Sequence, residues 1–116
     1  KVIALTAQSN IELLAEQARI LEPEIIAIGN SLRLCELKEA LFGSSVEVVS
    51  GENSIIDAAE RSADIVVSAI VGSAGLRPTL SAIRQGKIVA LANKECLVCA
   101  GDVVMDEVQK YKTVLL

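Results

Sequence analysis

Three consecutive polar side chains, Asn93, Lys94 and Glu95, follow directly on the apolar run Ile88-Val89-Ala90-Leu91. An amide donates and accepts hydrogen bonds, an ammonium holds an anion or polarises an oxygen, and a carboxylate accepts from hydroxyls. A ligand site is one reading of that trio. A solvated helix start is the other, with Glu95 favoured by the helix dipole and Lys94 turned to water. The two readings stand about even, because ligands of parallel sheets bind beyond the carboxyl ends of the strands. Two other segments follow apolar runs in the same way, Ala7 to Asn10 and Gly72 to Leu76. The backbone of Gly72-Ser73-Ala74-Gly75 could approach a ligand closely, yet ordinary turn chemistry accounts for such a loop more simply. It is not the GxGxxG dinucleotide fingerprint, which occurs nowhere in the chain.

Other chemistries are excluded by composition. The chain has no histidine, which removes Ser-His-Asp triads, Cys-His pairs and histidine-ligated metals. Cys96 and Cys99 form a Cys-x-x-Cys pair, but zinc would need a second pair, and redox use an exposed helix start with a lowered thiol pKa. Both read instead as small buried packing residues, as does Cys35. Three cysteines cannot all pair internally, so a reducing compartment is expected. A net charge of −4 argues against a sequence-independent nucleic-acid binder. The uncharged run Ile65 to Leu76 falls short of the ~20 residues that span a bilayer, so no membrane partner is expected.

These segments need elements to position them. With 116 residues the chain corresponds to a single domain, and at 52% hydrophobic residues it can build a core. One Tyr, one Phe and no Trp leave that core to Ala, Val, Ile and Leu. Strand-like and helix-like stretches alternate. Val2 to Thr6 reads as a buried strand, followed by a helix capped by Asn10 with Ile11, Leu14, Ala15, Ala18 and Leu21 at helical spacing. Strands are expected at Ile25 to Ile28, Val46 to Val49, Ile65 to Ser68, Ile88 to Leu91 and Thr113 to Leu116. Helices are expected from Asn30 or Ser31 through Leu41 with Gly43 after the end, from Glu52 to Arg61, around Pro78 to Gln85, and once or twice between Glu95 and Tyr111. Continuous apolar strands, rather than alternating ones, mark a sheet covered on both faces. The fold class is therefore α/β, a doubly wound parallel sheet with helices on both faces. Both ends lie inside expected strands, so the chain reads as a piece of a longer polypeptide.

Two stretches together resemble the 1-deoxy-D-xylulose 5-phosphate reductoisomerase family of the non-mevalonate isoprenoid route. They are Ala69-Ile70-Val71-Gly72-Ser73-Ala74-Gly75-Leu76-Arg77-Pro78-Thr79-Leu80 and Gly86-Lys87-Ile88-Val89-Ala90-Leu91-Ala92-Asn93-Lys94-Glu95. The opening, Val2 to Ala7 and Asn10 to Ala18, is similar to that family's second strand and following helix. The resemblance implies a Rossmann-like, NADPH-binding domain lacking its first strand, with residues 1–116 forming part of it. It further implies an enzyme that rearranges 1-deoxy-D-xylulose 5-phosphate and reduces the aldehyde with NADPH to 2-C-methyl-D-erythritol 4-phosphate. A divalent metal, Mg²⁺ or Mn²⁺, would assist from ligands outside this chain, and the full-length enzyme would be a homodimer in bacterial cytoplasm or a plastid-type organelle.

By the same resemblance, Asn93 and Glu95 contact NADPH, Lys94 contacts the sugar phosphate substrate, and Gln8, Ser9 and Asn10 face the adenosine ribose and its 2′-phosphate. No catalytic residue or metal ligand falls within the chain, which alone should be inactive. The family usually has glycine where Gln8 stands, and many members carry a basic residue where Ser9 stands. The first change restricts backbone approach, and the second removes a cation from the 2′-phosphate. Two competing readings are another Rossmann dehydrogenase, such as homoserine dehydrogenase, and a non-catalytic α/β ligand-binding module.

Overall fold

A computed structural model describes residues 1–92 and 95–116. The elements run β1 (Ala4–Ala7), α1 (Ile11–Leu21), β2 (Ile25–Ile28), a 3-10 turn (Ser31–Arg33), α2 (Leu34–Ala40), β3 (Glu47–Ser50) and α3 (Glu52–Ala59). They continue with β4 (Ile65–Ser68), a second 3-10 turn (Ser73–Gly75), α4 (Leu76–Arg84), β5 (Ile88–Leu91), α5 (Glu95–Tyr111) and β6 (Val114–Leu115). The chain divides into two compact units, Lys1–Arg61 and Ser62–Leu116. Each carries a parallel three-stranded sheet, β1-β2-β3 and β4-β5-β6, in a Rossmann-like α/β arrangement.

In the first unit every residue of β2 is buried, because both its edges and both its faces are covered. Side chains alternate between the faces of a strand. Ile26 and Ile28 accordingly join Ile11, Leu14, Ala15 and Ala18 of α1 and Leu37 of α2 in one core, with Leu5, Ala7 and Val48 packed against it. Ile25 and Ala27 point to the opposite face, on the side of β2 that α3 covers with Ile55 and Ala58. Helix α1 starts at the Asn10 cap and stops where Glu22 turns left-handed at φ 47°, its N–H closing on the Ala18 carbonyl. Pro23 then prevents continuation.

In the second unit, α4 and α5 pack together. Ala82 and Ile83 of α4, Cys96 and Val104 of α5 and Val89 of β5 are all buried. Thr113 ties the start of β6 to α4 by donating to the Ile83 carbonyl. The pairing register places Ile65, Val67, Ile88, Ala90 and Val114 on one face of this sheet. Ile65, Val67 and Val114 are exposed there.

Several boundaries differ from the sequence expectation. Strand β1 begins at Ala4, because Ile3 uses its carbonyl to accept from Glu24 and Ile25 and so starts the pairing. It is half-buried throughout, having a neighbour on one edge within its sheet. Cys96 is buried as expected, whereas Cys35 and Cys99 are exposed, and all three are free thiols. Cys35 lies between the positions that form the buried face of α2, a helical stripe set by Leu37 and Leu41. Cys99 sits where α5 is interrupted, next to Ala100 at φ −147°, ψ 35°. No described helix is long and apolar enough to cross a membrane.

Arg84 of α4 donates to Glu107 of α5 at 3.0 Å, joining the two helices. That hydrogen bond holds the Glu107 carboxyl below its usual range. A lowered carboxyl pKa adds stability that is present above the ordinary value and disappears as pH falls through the lowered one. Glu107→Gln should therefore lower the melting temperature at neutral pH, and the difference from the parent should close in acid. A gap that persists below the carboxylate range would assign the effect to packing instead.

Candidate functional site

The carboxyl ends of β1, β2 and β3 are fastened to one another by backbone hydrogen bonds. Gly29 donates to the Ala7 carbonyl at 2.8 Å, Asn30 to Gln8 at 2.8 Å, and Gly51 to Ile28 at 2.9 Å. Gly51 adopts φ 101°, which side chains other than glycine rarely tolerate, and it opens α3. The result is a fixed rim on which Gln8, Ser9 and Asn10 lie side by side, all exposed.

The three do different things. The Gln8 carboxamide folds over the β2 end, where a Cβ on Gly29 would come within 2.8 Å of its Cδ. Ser9 offers its carbonyl to the Ile11 N–H at 3.0 Å and to an Arg33 guanidinium nitrogen at 3.2 Å. Asn10 accepts from the Leu13 N–H at 3.1 Å, so its oxygen caps α1 and its amide hydrogens are the part it can offer to a ligand. The Asn30 side chain repeats the device one strand over, accepting from Leu32 at 3.1 Å.

In the second unit, the tip of β5 is fixed on both sides. Ala92 donates to Ser68 at 2.9 Å and Leu91 to Leu116 at 3.2 Å. Beneath it lies a buried polar cluster. The single Thr79 hydroxyl proton goes to the Gly75 carbonyl at 2.6 Å, which leaves the Thr79 oxygen to accept from the Ser68 hydroxyl and, at 3.9 Å, from the Cys96 thiol. One threonine thus joins the end of β4, the loop before α4 and the start of α5. Cys96 is held under the sheet end, and its neighbour Glu95 is exposed in the first turn of α5. Gly72 of the preceding loop is at φ 75°. Asn93 and Lys94 lie outside the described residues.

The first unit therefore brings Gln8, Ser9 and Asn10 onto one rim, and Glu95 belongs to the second. Two residues near these positions were not singled out from sequence. Arg33 sits one turn past the β2 end, and an arginine in a polar turn carries no periodic signal. Thr79 could have been noticed as a polar residue on the inner stripe of α4, in register with Ala82 and Ile83. Among the described residues no group of three or more Cys, Asp or Glu is placed to hold a metal ion.

The profile of the 1-deoxy-D-xylulose 5-phosphate reductoisomerase family matches residues 1–101. A curated relative of that description from Rhodospirillum centenum is 47% identical over 116 residues, covering 100% of this chain and 29% of the relative. The chain thus spans under a third of that relative's length. Among solved structures, the Zymomonas mobilis reductoisomerase in complex with NADPH superposes with a TM-score of 0.97 at 48% identity, over 99% of this chain and 30% of that one. A reductoisomerase complex with NADPH, fosmidomycin and magnesium gives 0.91 at 37% identity, over 98% of this chain and 28% of that one. A homoserine dehydrogenase from Thiobacillus denitrificans gives 0.57 at 21% identity over 99% of this chain and 29% of that one, a likeness of fold alone.

Proposed function

Because the chain belongs to the 1-deoxy-D-xylulose 5-phosphate reductoisomerase family, we propose that it forms the greater part of the NADPH-binding domain of such an enzyme. The complete protein would convert 1-deoxy-D-xylulose 5-phosphate to 2-C-methyl-D-erythritol 4-phosphate in isoprenoid biosynthesis. The observation that carries the reading is the rim itself. The turn Ala7-Gln8-Ser9-Asn10 has small or amide side chains, no carboxylate, and a guanidinium held against its Ser9 carbonyl. That surroundings set suits an adenosine ribose bearing a phosphate better than one with a free hydroxyl pair.

The roles of this chain's residues follow from their chemistry. Asn10 offers amide hydrogens beside the ribose, and Ser9 a hydroxyl. Gln8 keeps its carboxamide over Gly29, so it meets the cofactor through backbone rather than side chain. Asn93 and Glu95 serve the cofactor from beyond β5, the amide donating or accepting and the carboxylate accepting from hydroxyls. Lys94 neutralises charge on the sugar phosphate. NADPH, when bound, supplies the hydride that reduces the rearranged aldehyde. Magnesium or manganese would be held by residues outside this chain. A homodimer in bacterial cytoplasm or a plastid-type organelle completes the reading.

Titration of the full-length protein with NADPH should show saturable binding, and adding the ketose phosphate with magnesium should consume the nucleotide. Absence of saturable binding, or binding without turnover, would favour a non-catalytic ligand-binding module.

A further inference from the structure

At the carboxyl end of a Rossmann strand, the adenosine ribose is met either by a carboxylate accepting from its 2′-hydroxyl or by an arginine accommodating its 2′-phosphate. The turn after β1 contains neither type of residue. A cation nevertheless reaches it from the next strand's end. Arg33 extends from the 3-10 turn after β2, and its Nη1 donates to the Ser9 carbonyl at 3.2 Å. Its Nη2 donates to Glu36 at 3.2 Å and lies 3.5 Å from Glu12. Nε is buried with no hydrogen-bond partner among the described residues.

The other arginines of the first unit are engaged elsewhere, Arg19 on the Ala40 carbonyl at 2.8 Å and Arg61 on Glu47 at 3.0 Å. Arg33 differs in being a cation held directly against the β1 turn. Three contacts fix its planar fork, and they leave part of its donor set unspent. The side chain is 31% exposed, while its partners Glu12 and Glu36 are 77% and 57% exposed. Both carboxylates can swing into water when a dianion arrives, and the guanidinium can exchange a weak surface pair for a charge-assisted bidentate one.

We propose that Arg33 is the specificity-determining residue that selects the 2′-phosphorylated dinucleotide, supplying the cation that Ser9 does not. The inference rests on the NADPH reading above and goes beyond it by naming the residue that discriminates. A mere clamp on the turn would serve both dinucleotides alike, because they share everything except the phosphate.

The test is steady-state kinetics of the full-length enzyme with NADPH and with NADH, for the parent and for Arg33→Gln. Loss of a charge-assisted bond should raise KM for NADPH about 10- to 100-fold and leave KM for NADH nearly unchanged. Ser9→Arg added to Arg33→Gln should restore the preference. An equal loss for both dinucleotides makes Arg33 a clamp and overturns the proposal. So does an unchanged ratio, or a parent enzyme with no preference. A parent that uses neither dinucleotide overturns the functional reading itself, which is a separable result. Should Arg33→Gln fail to fold, a crystal structure of the parent with NADPH decides. A guanidinium within hydrogen-bond distance of the 2′-phosphate supports the proposal, and a phosphate met by other groups overturns it.

Discussion

Thr79→Val is expected to destabilise the full-length protein by about 1–3 kcal/mol, the cost of leaving buried polar groups unpaired. Valine keeps the branched shape of threonine, so the helix and the surrounding packing change little. What disappears is a hydroxyl with 1% exposure whose one proton and both lone-pair directions are used. Ser68, itself 8% exposed, loses its acceptor, and the Gly75 carbonyl loses a donor. Chemical denaturation of parent and variant measures the change. Thr79→Ser should cost less because it keeps the hydroxyl. Ser68→Ala combined with Thr79→Val should cost less than the two separately, since they share one interaction. Strict additivity would show that the cluster contributes nothing as a unit.

Lys94→Ala, in the full-length enzyme, should lower kcat/KM for the ketose phosphate by roughly 10- to 100-fold. One hydrogen bond from a charged group is worth about 1.5–3 kcal/mol, and each 1.36 kcal/mol is about a factor of ten in rate. The substrate's phosphate is ionised throughout the neutral range, so loss of the ammonium should not be recovered by changing pH there. Far-ultraviolet circular dichroism and the melting temperature should stay with the parent, as expected of a side chain whose role is to meet the substrate. An unchanged kcat/KM would remove Lys94 from the substrate site. A matching fall in melting temperature would make its role structural.

What could be read from the residues alone follows the physics of each signal. Ile25–Ile28, Ile65–Ser68 and Ile88–Leu91 were expected as strands and are strands over those same residues, since short apolar runs between turn formers have few alternatives. The Asn10 cap was legible for the same reason, because the side chain acts on backbone three residues away. Pairing is a different matter. Whether Val46 or Glu47 begins β3 depends on the Ile25↔Glu47 register, which is decided by a partner more than twenty residues distant along the chain. The burial of Cys35 failed likewise, for apolar neighbours in sequence do not specify which side of a helix faces inward. Gln8, Ser9 and Asn10 of the first unit and Glu95 of the second were marked by their place after strands. The reach of Arg33 to the Ser9 carbonyl is a long-range side-chain contact and leaves no local trace.

Ile65, Val67 and Val114 share one face of the second sheet and stand open to solvent, joined there by Ile88 and Ala90. Such a contiguous oily stripe without a single charge would make the isolated 116-residue chain sticky. Expressed by itself, it should enrich in inclusion bodies and bind hydrophobic dyes.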